Sequence, residues 1–406
     1  MGANSRVVDL RMALHSASTD FTTMPGSLKF VEPSSGVTYI GSYNAIERDL
    51  ERSDAMPYSK LQGTKNTGLR NLSIPLKGIS GGAGDSVGTS ASSKMDISYD
   101  LLTAFCGRSV DDATGDTTTS SGTGTTINAT GHGFSVGEAV LVAGATSGKL
   151  QARFITGDNT NDFTVCRSLT EDDGTAEGTG SGEVIYAGAV WQLDHANEQH
   201  FHLAADIETS EGRRQLLGMM GNPSIQFPSG GVAALSVDLD GTDWSAPSKA
   251  NPSFSAPTAG NHIKVINSPL HIGSSLYMAS ELSFEFGLEI QERASDGAPN
   301  GRFGYCVVNK APVLRARVHY GALTSPNEVT DAFLQTLQGE TNQDVLLQIG
   351  RAAGACMAIR LPDADIRVGD PERTNGQWTL SLEMRGTRPA GGSTAGELGA
   401  AQIAIF

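Results

Sequence analysis

The chain is poor in charge, aromatic rings and cysteine, and long apolar runs are missing. Only 6% of its 406 residues are aromatic, which argues against the ring-lined surface of a sugar-binding adhesin. Lys and Arg total 29 against 44 Asp and Glu, a formal net charge of −15. That shortage of cations excludes a general nucleic-acid binder, because phosphate neutralisation needs clustered Lys and Arg. The four cysteines, at 106, 166, 306 and 356, form no CxxC pair and no zinc spacing. They read as reduced, mostly buried thiols of a protein made in a cytoplasm. No stretch approaches the ~20 apolar residues of a membrane span. The opening MGANSRVVDLRMALHS lacks the apolar centre of a signal peptide, and Arg6 stands where a myristoylation signal needs Ser or Thr. The expectation is a soluble chain, intracellular when made, without a membrane anchor.

Catalytic signatures are also missing. There is no GxSxG, HExxH or EF-hand loop. GHGFSVG (131–137) has neither phosphate-loop spacing, so its glycines read as turn residues. The acidic pairs Asp111–Asp112 and Asp172–Asp173 sit in linkers, and adjacent carboxylates on a strand point to opposite faces. Arg213 and Arg214 read as an interface or salt-bridge pair. The best candidate site is DHANEQHFH, with Asp194, His195, His200 and His202. On a strand, His200 and His202 share a face near a carboxylate, a start toward a transition-metal site. A third ligand at a fixed position is missing, and a polar strand face with hydrogen-bonded imidazoles is the preferred reading. No residue is assigned to catalysis, a cofactor or a metal.

What is present is glycine (49 residues), Ser, Thr and alternation. That mix favours short strands. ALSVDLDG (Ala234–Gly241) recurs as TLSLEMRG (379–386), each with apolar residues on one parity and a final Gly. Three looser echoes keep the same order. IERDLERSDA starting at Ile46 parallels LEIQERASDGA starting at Leu288. LRNLSIPLKG from Leu69 parallels LRARVHYGAL from Leu314. DLLTAFCG from Asp100 parallels AFLQTLQG from Ala332.

One unit then reads as a charged strand, a long polar loop, a return strand, a short helix and two closing strands. Leu72, Ile74 and Leu76 alternate as a half-buried strand should. In the second helix Phe333, Leu334 and Leu337 share a face, Asp331 sits near the start and Gly339 suits the C-cap. Between helix-end Gly and final-strand Gly, the first copy (107 to 241) is about 87 residues longer than the second (339 to 386). Two Gly/Thr/Ser/Asp linkers bracket short alternating strands in that excess. The predicted order is therefore 1–117 and 191–244 for the first unit and 118–190 for an inserted small β-module, an acidic, solvated lobe. A Pro/Ser/Ala-rich linker follows at 245–262 and the second unit at 263–406. The chain ends in an alternating strand with Ile403 and Ile405 against Ala404.

These units resemble the tail-tube proteins of long-tailed bacteriophages, a fold shared with Hcp-like type VI secretion tubes. The stretches that carry the resemblance are SYNAIERDLERSDA, GTKNTGLRNLSIPLKG, GMMGNPSIQFPSGGVAALSVDLDG, LSFEFGLEIQERASDGAP and MAIRLPDADIRVGDPERTNGQWTLSLEMRG. They cover about three quarters of the chain and contain no invariant motif. The resemblance implies a mainly β (α+β) fold. It would hold two tandem tail-tube-like β-sandwich or barrel units, each with a short helix and a long hairpin loop, plus an inserted small β-barrel module. It implies a structural virion protein with no enzymatic activity, found in the phage tail and in the host cytoplasm during assembly. A two-unit chain would close as a homotrimer ring with pseudo-sixfold symmetry and stack head to tail. Partners would be further copies and the tape-measure, tail-terminator and distal tail proteins, with viral DNA passing an acidic lumen unbound. Other readings are a receptor-binding, fibre or tail-terminator protein, a glycan hydrolase, or a type VI tube subunit. The absence of a carboxylate pair speaks against the hydrolase, and the duplication against the short, single-unit type VI chains.

Overall fold

The computed structural model describes residues 3–15, 24–25, 28–34, 36–47, 60–79, 95–107, 109–110, 117–171, 175–193, 201–209, 212–245, 254–255, 260–266, 268–294, 302–320, 329, 342–374, 377–387 and 399–406. The fold is mainly β, with one helix among the described residues.

Eight strands make one continuous antiparallel surface. They are β1 (Thr38–Glu47), β2 (Lys60–Pro75), β3 (Ser224–Phe227), β4 (Ala234–Gly241), β5 (Ser275–Glu285), β6 (Val313–His319), β7 (Met357–Val368) and β8 (Gln377–Gly386). Their order across the sheet is β1-β2-β4-β3-β5-β6-β8-β7. Each half of four strands thus has the same connectivity: a hairpin, then a closing pair whose last strand lies inside. The halves meet where β3 pairs with β5, with Ile225 opposite Phe284 and Phe227 opposite Leu282.

The correspondence between the halves extends to individual residue pairs. Tyr39 opposes Leu69 and Phe284 opposes Leu314, both partners 245 positions further on. The same spacing relates Tyr43–Lys65 to Leu288–Lys310 and Ala45–Gln62 to Ile290–Val307 in the adjoining hairpin Leu288–Ala294/Arg302–Lys310. A register shift falls at the same place in both hairpins, beside Tyr43/Ala45 and beside Glu289/Ile290. Ile46 therefore corresponds to Gln291, three residues from the Leu288 that the sequence echo suggested. In the closing pairs the spacing is 145: Met220–Asp240 corresponds to Asp365–Arg385.

Period-two alternation sets the faces. Leu235, Val237 and Leu239 on β4, and Leu380, Leu382 and Met384 on β8, are buried. Ser236, Asp238 and Asp240, like Ser381, Glu383 and Arg385, look the other way. The buried face packs against a second layer. In the first half this layer includes Ala3–His15, His202–Thr209 and Gly212–Met219. In the second it includes Pro269–Ile272, Gln343–Ile349, the start of β7, Ala401–Ile405 and Ala189–Leu193. Between the layers lies helix α1 (Ile97–Cys106), nine of whose ten residues are buried. Asp96 caps its start by accepting from the Ser98 N–H, and Gly107 ends it with φ 82°, a left-handed turn that glycine takes without strain. Trp191 Nε1 donates to Thr103 Oγ1 at 3.0 Å, and Phe105 meets Phe286 edge-on. The second helix expected at 331–339 lies outside the described residues.

The insert forms its own seven-stranded sheet from Thr117–Thr118 to Val184–Ala187. Its two edge strands, Thr117–Thr118 and Ser121–Thr123, are near neighbours in sequence, so the sheet rolls back on itself around Phe134, Ile155 and Phe163. Ala189–Leu193 belongs to the main fold, inside the bound of 190 expected for the insert. The insert is no freely solvated lobe. Its Leu141, Ala152 and Phe154 pack on Val190, Leu346, Ala358, Ala404 and Phe406 of the outer layer. This contact explains the last strand: Ile403 and Ile405 fill the main core while Ala404 leaves room for the insert. Part of the expected linker is also tied down: Phe254–Ser255 pairs with Leu28–Phe30, and His262 bridges to Lys77.

Leu382→Ala should lower stability by about 2–5 kcal/mol, the usual cost of emptying a buried leucine site. Its strand neighbour Ser381→Ala should change it by less than about 0.5 kcal/mol. Urea unfolding midpoints of the two variants check the assigned faces.

Candidate functional site

The outward face of the eight-stranded sheet is an organised polar surface. It carries Arg70 on β2, Asp238 and Asp240 on β4, and Glu281 and Glu285 on β5. Arg315 and Arg317 follow on β6, Glu383 and Arg385 on β8, and Asp365 and Arg367 on β7. Its curvature encloses a groove of about 970 Å³ running from Gln226 to Arg367.

Every one of these arginines is engaged by a carboxylate of the same face. Arg70 pairs with Asp240, and Arg315 with Glu285 and Glu383. Arg317 reaches Glu281 at 3.1 Å and Glu372 at 3.6 Å. Arg385 holds Glu383 at 2.6 Å, and Arg367 holds Asp365 at 3.6 Å. Hydrogen bonds from Arg385, then its charge and the contacts of Arg315, hold the Glu383 carboxyl below its ordinary range despite some burial. Burial works to lower the Arg315 pKa, but Glu285 and Glu383 together raise it. These exposed pairs each contribute about 1 kcal/mol or less to stability. Their larger effect is on the surface itself, where each guanidinium is occupied.

A substitution between the halves is compensated within this network. Asp240, the partner of Arg70, corresponds to Arg385, and Arg70 corresponds to Arg315. Two arginines there would repel. Glu285, which corresponds to Ile40, and Glu383, which corresponds to Asp238, take up both of them. Asp238 itself accepts the Asn71 N–H at 2.8 Å, at a bulge where Asn71 has φ 59°.

The histidine candidates resolve differently. Asp194, His195 and His200 lie outside the described residues. His202 is buried at the start of its strand, opposite His15, and its Nε2 accepts the Tyr305 N–H at 3.0 Å. That nitrogen is therefore committed to a backbone donor. Among the described residues no cluster of three His, Cys, Asp or Glu side chains could hold a metal ion. Burial pushes the Cys106 and Cys356 thiols up to about 12, the state of packed rather than nucleophilic thiols. Gly131, Gly133 and Gly137 have positive φ in turns. Arg213 pairs with Asp206, and Arg214 stacks over Trp244. Asp111–Asp112 and Asp172–Asp173 are outside the described residues.

Sequence reasoning missed a second charged group at the seat of the insert. Arg153, fully buried, gives its donors to the carbonyls of Ala152, Arg167 and Ser168 and to Gln151. Arg167 Nη2 donates to the Asp344 carbonyl, and Arg360 pairs with the Asp344 carboxylate. His271 sits beside them. Burial, and then the charges of Arg153, Arg167 and Arg351, push its pKa well below the ordinary value of 6.5. The only sequence signal was negative: Arg153 and Arg167 are two of just three cations in an acidic insert.

No family model matches the chain, and no curated protein matches it. Among the described residues no helix is long and apolar enough to cross a membrane.

A pH dependence follows from His271. Below about pH 6.5 the unfolded chain binds a proton there that the folded chain refuses, so stability falls as pH drops. His271→Gln should flatten that decline between pH 7 and pH 5. Thermal unfolding midpoints of both proteins across this range test it, and equal slopes would exclude His271 as the source.

Proposed function

We propose that this chain is a two-unit tail-tube protein of a long-tailed bacteriophage, a structural virion component whose copies close into stacked rings around a DNA conduit. The observation that carries this reading is the pair of four-strand sets with matching hairpin register, joined edge to edge in one curved sheet whose outer face is polar. A curved sheet with free ends is completed by closing it into a barrel, which removes the edges. Three chains of eight strands give about 24 strands, well beyond the 16–18 that already leave an open channel. At ~4.8 Å between strands and a tilt of ~40°, such a barrel measures roughly 50 Å across its backbone. That leaves room for a DNA duplex. Single-unit rings of this kind are hexameric, so three two-unit chains would restore sixfold geometry.

The charge network refines the expected acidic lumen. Carboxylates outnumber arginines on the polar face, and each arginine there is engaged by one. Among the described residues, a phosphate backbone sliding past meets no row of available cations and releases few counterions, so it does not adhere. The insert docks on the opposite side of the fold, on the outside of the tube in this reading. Tape-measure, tail-terminator and distal tail proteins would occupy the tube's interior and ends.

Negative-stain microscopy of the purified protein should show rings or tubes with a central hole and three chains per ring. Discrete monomers under all assembly conditions would overturn the reading. Tubes built from the Glu285→Gln/Glu383→Gln double variant should retain DNA at low salt and release it as salt rises, while wild-type tubes retain none. Equal retention by both would sink the masking role of the two glutamates.

A further inference from the structure

The junction between the halves implies what a second copy must meet, and that place is taken. At the junction, β3 residues Ser224, Ile225, Gln226 and Phe227 pair with Glu285, Phe284, Ser283 and Leu282 of β5. A spacing of 245 carries the β5 stretch onto 37–40 of β1, with Phe284 falling on Tyr39. A spacing of 145 carries the β3 stretch onto 369–372, just after β7. The Gly369 N–H donates to the Ser381 carbonyl, which keeps that register past the end of β7. Glu372, opposite Thr379, is one residue out of that spacing, so the match holds at the Gly369 end. If the ring repeats the internal junction, the stretch beginning at Gly369 of one chain meets the start of β1 in the next, with Gly369 opposite Ile40.

The two edges are in different states. On the β7 side, Asp365, Ile366, Arg367 and Val368 are paired only with β8 among the described strands. Val368, exposed by 36%, lies at the end of that edge, and Trp378, exposed by 50%, lies further along β8. By the same spacing of 145 the 365–368 stretch corresponds to 220–223 of the first half, which leads directly into the β3 residues that β5 pairs with. On the β1 side the edge is occupied. The first residues of the N-terminal strand pair along it: Ala3 with Gly41, Asn4 with Ile40, Ser5 with Tyr39 and Arg6 with Thr38. Beyond a register shift at Val7/Asp9 the same strand leaves for the second layer and pairs with His202–Thr209. Over its 282–285 stretch, β5 has β3 in that place instead.

We propose that the Ala3–Arg6 stretch is a removable cover on the edge of β1, and that a second copy of this chain displaces it when rings close. This rests on the tube reading above. A covered acceptor edge keeps free chains from pairing one by one into open chains, the standing hazard of an exposed strand edge. Among the described residues four pairs hold the cover, and ANSR contains no large apolar side chain. The incoming copy offers backbone partners and the exposed Val368 beside them, so exchange is favoured once copies are concentrated.

The test clamps the cover. In Asn4→Cys/Ile40→Cys the two positions are direct cross-strand partners, close enough for a disulfide. Oxidised, this variant should assemble into rings at least tenfold more slowly than when reduced. In Ile40→Cys/Gly369→Cys, assembled rings should instead give disulfide-linked dimers and trimers on a non-reducing gel. Single-cysteine variants control for the partly exposed Cys166 and Cys306. Rings that form equally fast with the clamp closed would overturn the cover while leaving the tube reading intact. Rings in which positions 40 and 369 fail to cross-link would overturn the register. Absence of rings from wild-type and reduced proteins alike would overturn the tube reading and the cover with it.

Discussion

Four residue pairs at the β3–β5 junction organise the whole fold. A strand edge presents a row of N–H and C=O groups that must find partners. Ser224–Phe227 and the 282–285 stretch satisfy each other, so two four-strand sets share one hydrogen-bonded surface. Once that pairing is set, the period of two decides every other face. A slip of one residue would turn Ile225 and Phe284 onto the polar side and bring Ser224 and Glu285 into the core. The buried size of those residues makes the register unambiguous, and with it the location of the charged face.

The polar face shows how two halves of matching connectivity carry different residues without conflict. Matching positions tolerate different residues there because solvent relaxes packing demands, but charge still has to balance locally. Where the first half places one acid opposite Arg70, the second places an arginine and recruits two glutamates. The difference between Asp240 and Arg385, which looks like broken symmetry in the sequence alone, is matched by Glu285 and Glu383 on the neighbouring strands. Neighbouring charges on adjacent strands interact across about 5 Å, so their signs must balance locally. Core positions show less freedom: Leu235 and Leu380, or Leu239 and Met384, differ little in volume, as close packing requires.

The strands, their faces and the mainly β class were legible in the sequence because alternation is local. Ala234–Gly241 begins and ends where its apolar parity says it should. Gly107 could be read as a helix end because few residues tolerate its left-handed turn. Pairing is a long-range property and was less visible. The alignment of Ile46 with Leu288 missed by three residues because polar hairpin arms carry little register information, whereas the 245 spacing emerges at once from hydrogen-bonded partners. The arginine–carboxylate network was hidden for the same reason, since Arg315 and Glu383 lie 68 positions apart. His202 was rightly singled out as chemistry-bearing, but only its contact with the Tyr305 N–H, 103 positions away, reveals where its nitrogen is spent.

The insert's position follows from how layers share a strand. Ala401–Ile405 is buried on both faces, with isoleucines toward the main core and Ala404 toward the insert. A two-layer fold would expose that second face, so the insert completes the burial of a strand that the main fold needs in its centre. Lengthening the chain between α1 and Ala189–Leu193 costs little in loop entropy, which grows only logarithmically. The contact returns apolar burial through Phe154, Leu346 and Phe406, and it places Arg153 where backbone carbonyls use up its charge. Because this docking uses the outer layer, the core and the eight-stranded sheet stand between the insert and the polar face. An added module spanning 117–187 thus leaves the groove clear.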